Sequence, residues 1–463
     1  MKQATKPLLP GVGNYYTVKI TDLNSNGEGV GRVNDFVTFI PETIPGDLVE
    51  IQISEVKKSF ARGVVIRLIE NSPDRICASC AVSKNCGGCQ LQHMEYKAQL
   101  NWKENQVNQA LQRIGKLDVL ASPIIGMETP NYYRNKAQLP VGVKDDTLII
   151  GFYRKGTHDI VDYTSCNILH PLIHKTAVAV KEVLAELEIP AYNRRTKQGI
   201  LRHVIVRVSF TQAKLMVIFV TTTKTLVKQE LLVEQLTNLV PELVSIAHNI
   251  NPRSSKTILG RETKIVWGES YLIDTIGQLE FAISPASFFQ VNPIQTEILY
   301  DKVKEYANLS GREVVWDLYC GTGSIGLYLA SEAKKVYGVE SLAAAVLDAE
   351  YNAKLNKRTN AEFICGRAED VLPKYADTGE QIDLVILDPP RQGCESALLE
   401  TISRLEVPKL IYVSCNPTTL ARDLAYLSAH GYQVEQVQPV DMFPMTTHVE
   451  TVVLMSREEA VKA

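Results

Sequence analysis

From about residue 286 onward the chain alternates short apolar runs with helix-patterned ones, and this rhythm restricts its fold more than any other feature. The runs are VVWDLY, SIGLYLASEA, KVYGVE, LAAAVLDAEYNAKLN, AEFICG, DLVILD, KLIYVSC and TVVLM. Strands separated by helices predict an α/β fold with a parallel, doubly wound sheet, whose ligands lie beyond the carboxyl ends of the strands. The loops at those ends carry reactive residue types. They are Cys320-Gly321-Thr322-Gly323, Asp388-Pro389-Pro390-Arg391 and Ser414-Cys415-Asn416-Pro417.

The rest of the chain follows other rhythms. At 463 residues there is room for about three domains of roughly 150 residues. Residues 12–70 predict a five-stranded barrel of the oligonucleotide-binding kind, from YYTVKI, DFVTFI, LVEIQISEV and GVVIRLIE separated by the turn signals NSNGEGVG and IPGD. Residues 71–285 read as a central α+β region that opens with a cysteine-rich loop and a helical stretch, and residues 286–463 form the α/β domain.

A net charge of −3 with 45% hydrophobic residues excludes disordered and collagen-like classes. The charge is unevenly placed. Residues 191–264 hold twelve basic and four acidic residues, a local +8 that leaves −11 for the remainder. Such a segment suits a docked polyanion. The N-terminus has no apolar core and no run is long enough to span a bilayer, so the expectation is a cytoplasmic protein with no membrane association. Nine cysteines, an odd number, then need an explanation other than a disulfide framework.

Glycines let a backbone approach a ligand where a Cβ would collide. Nineteen residues after Gly321, Glu340 ends the run VYGVE, where a carboxylate can accept from both ribose hydroxyls of a nucleoside. The form DLYCGTG, with Asp317 ahead of the glycines, resembles the first motif of S-adenosylmethionine (SAM) methyltransferases more than a dinucleotide fingerprint. Pro389 and Pro390 stiffen the turn that holds Asp388. Cys415 at a strand tip is a candidate nucleophile. Glu450, inside an apolar and β-branched run, should have a raised pKa suited to a proton acceptor. Cys320, Cys365 and Cys394 read as core. The spacing Cys77-x2-Cys80-x5-Cys86-x2-Cys89 suits zinc and an iron–sulfur cluster about equally.

Taken in order, CGGCQLQH, YRNKAQ, SFFQVN, DLYCGTGSIGL, DPPRQG, SCNPTTLARDL and DMFPMTTHVETV resemble the SAM-dependent RNA 5-methyluridine methyltransferases, and within them the 23S ribosomal RNA branch. The resemblance covers nearly the whole chain. It implies a TRAM-type, OB-like β-barrel at the N-terminus and a Rossmann-like SAM domain at the C-terminus. It implies Cys415 as the nucleophile that adds to C6 of uracil and Glu450 as the base. Gln290, Tyr319, Glu340 and Asp388 match SAM-binding positions, joined by Gly321 and Gly323 of the loop. The family's cysteine pattern selects Cys80, Cys86, Cys89 and Cys166 for a [4Fe-4S] cluster and leaves Cys77 over. Arg134 and Lys136 of YRNKAQ become contacts to RNA phosphates, while Phe288 and Phe289 can serve either base stacking or core packing. The expected partner is 23S ribosomal RNA, with no obligate protein partner. Transfer RNA as the substrate, or RNA binding without catalysis, are the alternatives. The barrel and cysteine loop argue against the first.

Overall fold

In the computed structural model of the chain, residues 9–162, 165–252 and 257–457 are described. Contacts divide the chain into two units, one of Met1–Trp102, Tyr153–Val161 and Phe443–Thr447, the other of Lys103–Phe152, Asp162–Met442 and His448–Ala463. The sequence cut at 285/286 falls inside the second.

The first unit holds a sheet of β1 (Tyr15–Lys19), β2 (Asp22–Leu23), β3 (Gly29–Val33), β4 (Phe36–Ile40), β5 (Leu48–Val56) and β6 (Ala61–Glu70), in the order β1-β5-β6-β4-β3-β2. Alternate residues of β5 turn inward, so that Val49, Ile51 and Ile53 pack with Val18, Val33 and Ile40. There are six strands where five were expected. Part of NSNGEGVG, read as a turn, is strand β3. Its glycines serve close packing, since a Cβ on Gly29 would lie 1.9 Å from Thr43 Oγ1 and one on Gly31 2.3 Å from Val18 Cγ1.

The central sheet runs β13-β12-β11-β10-β7-β8-β9. Its strands are β7 (Lys136–Lys144), β8 (Thr147–Tyr153), β9 (Ile160–Asp162), β10 (Leu201–Val208), β11 (Leu215–Thr221), β12 (Leu243–Ile250) and β13 (Glu262–Gly268). Strands β10 and β11 are buried along their whole length, so the basic residues of the segment do not share one surface. Arg202 and Arg207 are in the interior, whereas Arg194, Arg195 and Lys197 are exposed and Arg253 and Lys256 lie outside the described residues. A hairpin of β14 (Leu272–Ile276) and β15 (Leu279–Ile283) leads through SFFQVN into the helix Pro293–Ala307.

The third sheet comprises β16 (Val314–Leu318), β17 (Lys335–Glu340), β18 (Ala361–Cys365), β19 (Leu384–Leu387), β20 (Lys409–Ser414), β21 (Tyr432–Val440) and β22 (Glu450–Arg457). Its order is β18-β17-β16-β19-β20-β22-β21. The first five strands are parallel, and β16 and β19 are buried throughout, as a sheet with covered faces requires. Strand β22 departs from the all-parallel expectation. The helix Pro417–Ser428 delivers β21 one place too far out, and β22 returns through residues 441–449 into the slot between, antiparallel to both neighbours.

Candidate active site

The strand order reverses between β16 and β19, so the loops beyond their carboxyl ends flank a crevice. Beyond β16 the backbone turns left-handed at Tyr319, Gly321 and Gly323, with φ of 68°, 55° and 80°. The two glycines differ in purpose. A Cβ on Gly321 would meet nothing within 4 Å, which leaves room for a ligand, whereas one on Gly323 would lie 2.7 Å from the Phe363 ring. Glu340 Oε2 accepts the Gly321 N–H at 3.3 Å, and its Oε1 accepts the Leu342 N–H at 2.8 Å. The Tyr319 N–H donates to Val339 O at 3.0 Å. Asp317 Oδ2 accepts the Gly326 N–H at 2.8 Å, while its Oδ1 is buried without a partner. Burial pushes this carboxyl up to about 8, and the nearby Asp388 and Glu340 add to the shift.

The segment that carries Gln290 is held from two sides. Asn135 Nδ2 donates to Gln290 O at 3.0 Å, and Asn292 caps the next helix while donating to Met442 O at 3.0 Å. Phe289 is buried against Phe281, but Phe288 is 67% exposed.

Across the crevice, the antiparallel register of β20 and β22 pairs Ser414 with Thr451. Cys415 follows Ser414 in a bend, Glu450 precedes Thr451, and the Glu450 charge reaches the Cys415 thiol. Cys415 is half-buried, and its thiol is pushed up to about 11, first by burial and then by the Glu450 and Asp388 carboxyls, with the Arg391 guanidinium opposing. Glu450 is buried, and burial, with help from Asp388, raises it well above the carboxylate range. Asp388 is pushed up to about 7 by burial. Arg391 O accepts from Asn416 Nδ2 at 2.9 Å and from Thr419 Oγ1 at 3.2 Å, tying the Pro-Pro-Arg turn to the Cys415 loop. Arg391 Nη2 donates to His448 Nε2 at 3.2 Å. That imidazole stays neutral because burial, then Arg391, Lys103 and Arg134, push it down to about 4.

The structure therefore brings Gly321, Glu340, Asp388, Cys415 and Glu450 to one crevice, where a half-buried thiol stands beside a buried carboxyl of high proton affinity. Arg391 and His448 were quoted in the motifs DPPRQG and HVETV but given no role. Their signal was adjacency, three residues after Asp388 and two before Glu450. Arg134 and Lys136 lie at the start of β7, both half-buried. Cys320 and Cys394 are in the core, but Cys365 is exposed at the end of the edge strand β18, which corrects its reading as core.

In the first unit Cys77, Cys80, Cys86 and Cys89 line one cavity of about 540 Å³. Burial raises the Cys86 thiol, and the Cys80 charge adds to the rise. Yet among the described residues no three His, Cys, Asp or Glu stand in an arrangement that could hold a metal ion. The four-thiolate set Cys80, Cys86, Cys89 and Cys166 is thus not assembled as a ligand shell. Cys166 belongs to the second unit. No helix among the described residues is long and apolar enough to cross a membrane.

Residues 95–458 match the family described as tRNA (Uracil-5-)-methyltransferase, and residues 11–66 match the TRAM domain. A protein of Halalkalibacterium halodurans, named an uncharacterized RNA methyltransferase, is 47% identical over 439 residues, covering 95% of this chain and 96% of its own. One of Bacillus cereus with the same description is 48% identical over 446 residues, covering 96% and 97%. Among solved structures, the Pyrococcus abyssi tRNA (uracil-54, C5)-methyltransferase in complex with S-adenosyl-L-homocysteine is 28% identical with a TM-score of 0.76. The match covers 95% of this chain and 100% of that one.

Proposed function

Since the chain belongs to the tRNA (uracil-5-)-methyltransferase family and is a SAM-dependent RNA methyltransferase, we propose that it methylates C5 of uridine in 23S ribosomal RNA, using Cys415 and Glu450. The observation that carries this reading is the β20–β22 register, which pairs Ser414 with Thr451 and so brings the adjoining Cys415 thiol within reach of the buried Glu450 carboxyl's charge.

C5 of uracil is a poor nucleophile. Cys415 loses its proton and adds through sulfur to C6, which gives C5 enolate character. Arg391 favours the thiolate, because its charge opposes the burial that holds the proton on. Bound SAM supplies a methyl group activated by its positively charged sulfur. Glu340 is assigned to the ribose hydroxyls, with Gly321, Gly323, Tyr319, Gln290 and Asp388 completing the cofactor's seat. The open space at Gly321 and the carboxylate at the tip of β17 fit that group. Once C5 is methylated it still carries its hydrogen. Glu450 accepts that proton, the C6–S bond breaks, and the C5=C6 double bond is restored as Cys415 leaves.

Glu450→Gln keeps the thiol and removes the proton acceptor. It should accumulate an RNA–protein adduct that survives a denaturing gel; normal turnover by this variant would overturn the assignment. A second reading, uridine in transfer RNA, is favoured by one observation. The P. abyssi transfer RNA enzyme covers 95% of this chain, so the N-terminal barrel does not separate the two substrates. Methylation of 23S and transfer RNA transcripts side by side, with mass mapping of 23S RNA from cells lacking the protein, decides between them.

The proposal keeps the [4Fe-4S] cluster on Cys80, Cys86, Cys89 and Cys166. Its support is the gathering of three of these thiols around one cavity, and no chemical step is routed through it. Iron content and visible absorption of protein purified without oxygen test it; colourless protein containing zinc would reject it. The absence of a spanning helix among the described residues accords with the cytoplasm as its place of action.

A further inference from the structure

Strand β15 pairs with β14 in a two-stranded sheet, so its outer edge has no strand partner among the described residues. The helix Ala343–Leu355, which begins just beyond Glu340, completes that edge with side chains. Asn356, at its C-terminal cap, accepts the Glu280 N–H on Oδ1 at 3.0 Å and donates from Nδ2 to Glu280 O at 2.7 Å. Asn352 Oδ1 accepts the Ala282 N–H at 2.8 Å. Asp348 Oδ2 accepts the Ser284 hydroxyl at 2.8 Å and the Ser287 hydroxyl as well. Four residues along a helix advance about 6 Å and two along a strand about 6.6 Å, so Asp348, Asn352 and Asn356 keep step with Ser284, Ala282 and Glu280.

Two of the three rungs reach further than the strand. Asn352, fully buried, also donates from Nδ2 to Thr322 O at 3.3 Å, between Gly321 and Gly323. Asp348, itself buried, fixes Ser287, from which the chain runs straight on to Gln290. Ser287 O accepts in turn from a terminal nitrogen of Arg207, whose place in β10 is opposite Lys136 of β7. A buried amide with both ends engaged cannot turn without leaving an N–H and a carbonyl unpaired, so the helix grips both segments firmly.

We infer that Asn352 and Asp348 are positioning residues for the methyl donor: they tie the glycine loop and the Gln290 segment to one helix, and so fix the spacing of the groups that seat SAM. This inference rests on the proposed function for the residues of that seat and adds the helix face that sets them.

SAM affinity is measured by calorimetry, with melting temperature alongside, for wild type, Asn352→Asp, Ser287→Ala, Asn356→Ala and Glu340→Ala. Asn352→Asp keeps the size of the side chain and an acceptor for the Ala282 N–H, but sets a carboxylate oxygen against Thr322 O. SAM affinity should fall about tenfold. Ser287→Ala removes the hydroxyl that Asp348 grips and should lower it about threefold; this milder change carries the test by itself where Asn352→Asp does not fold. Asn356→Ala breaks the rung that ends on the strand, and should lower the melting temperature while leaving SAM affinity within about twofold. Equal losses of SAM affinity in all three, or lower melting temperatures with SAM affinity intact, make the row a scaffold only and overturn the inference. Glu340→Ala keeps the two ideas apart. Normal SAM binding by that variant beside a loss in Asn352→Asp rejects the ribose assignment while the positioning role stands. Loss in Glu340→Ala with normal binding in Asn352→Asp and Ser287→Ala rejects the positioning role alone.

Discussion

Two regions of this molecule hold cysteines that are neither fully buried nor paired in disulfides, and they are built on opposite principles. Around Cys415 the sheet does the positioning. A ladder of backbone hydrogen bonds pairs Ser414 with Thr451, the neighbours of Cys415 and Glu450, and the Asp388 and Arg391 turn is laced to the same loop. Around Cys80, Cys86 and Cys89 the chain is loop, the thiols line a cavity, and among the described residues no ligand shell is closed. A site built on paired strands holds its geometry without a ligand. A site built on a loop leaves its final geometry to whatever binds there, and binding and folding become one equilibrium.

The comparison is most exposed at the nucleophile. Cys415→Ala should lower methyl transfer to RNA by at least about 10⁴-fold if, as proposed, its sulfur makes the bond to C6. SAM affinity should stay within about twofold. Transfer of labelled methyl measures the first and calorimetry the second; a variant that still turns over would break the distinction between a built and an unbuilt site.

A smaller effect concerns protons. A thiol that titrates at about 11 is almost wholly protonated at neutral pH. Alkylation of Cys415 should therefore rise about tenfold per pH unit between pH 7 and 9. Arg391→Gln removes the opposing cation, pushes the thiol higher still, and should slow alkylation at pH 8 by about threefold. Mass spectrometry of the Cys415 peptide reads both, and a plateau by pH 8 would contradict the placement of the carboxyls.

The mildest effect belongs to the loop. Cys80→Ser with Cys86→Ser should lower iron content and reduce the melting temperature by about 2–4 °C, leaving SAM affinity unaltered. Loss of SAM affinity in that variant would mean that the two regions are not independent.

Which parts were legible follows from the same contrast. The five parallel strands could be read because each apolar run is short and bounded by a helix pattern, and the four inside the edge strand β18 are largely buried on both faces. The Gly321 loop, Glu340, Asp388 and Cys415 could be read because that topology sends every strand end to the same side. The direction of β22 could not, because a hairpin and a crossover leave the same apolar run TVVLM. Strand β3 was hidden by glycines that signal turns when read locally, and are required here by Thr43 and Val18 packed against them. Strand β21, YQVEQVQPV, alternates burial along its outer half and carries no long apolar run. Cys365 looked like core by residue type alone, yet the edge strand leaves it uncovered. The Lys136–Arg207 pairing depends on register between strands some seventy residues apart, which no local pattern encodes.

Strand β22 fills an interior slot although it is made after every other strand of its sheet. While the polypeptide is still emerging from the ribosome, β20 is the edge of its sheet and Glu450 has yet to reach the Cys415 loop. The thiol and carboxyl to which the proposed reaction assigns bond formation and release thus come together only when the last strand docks.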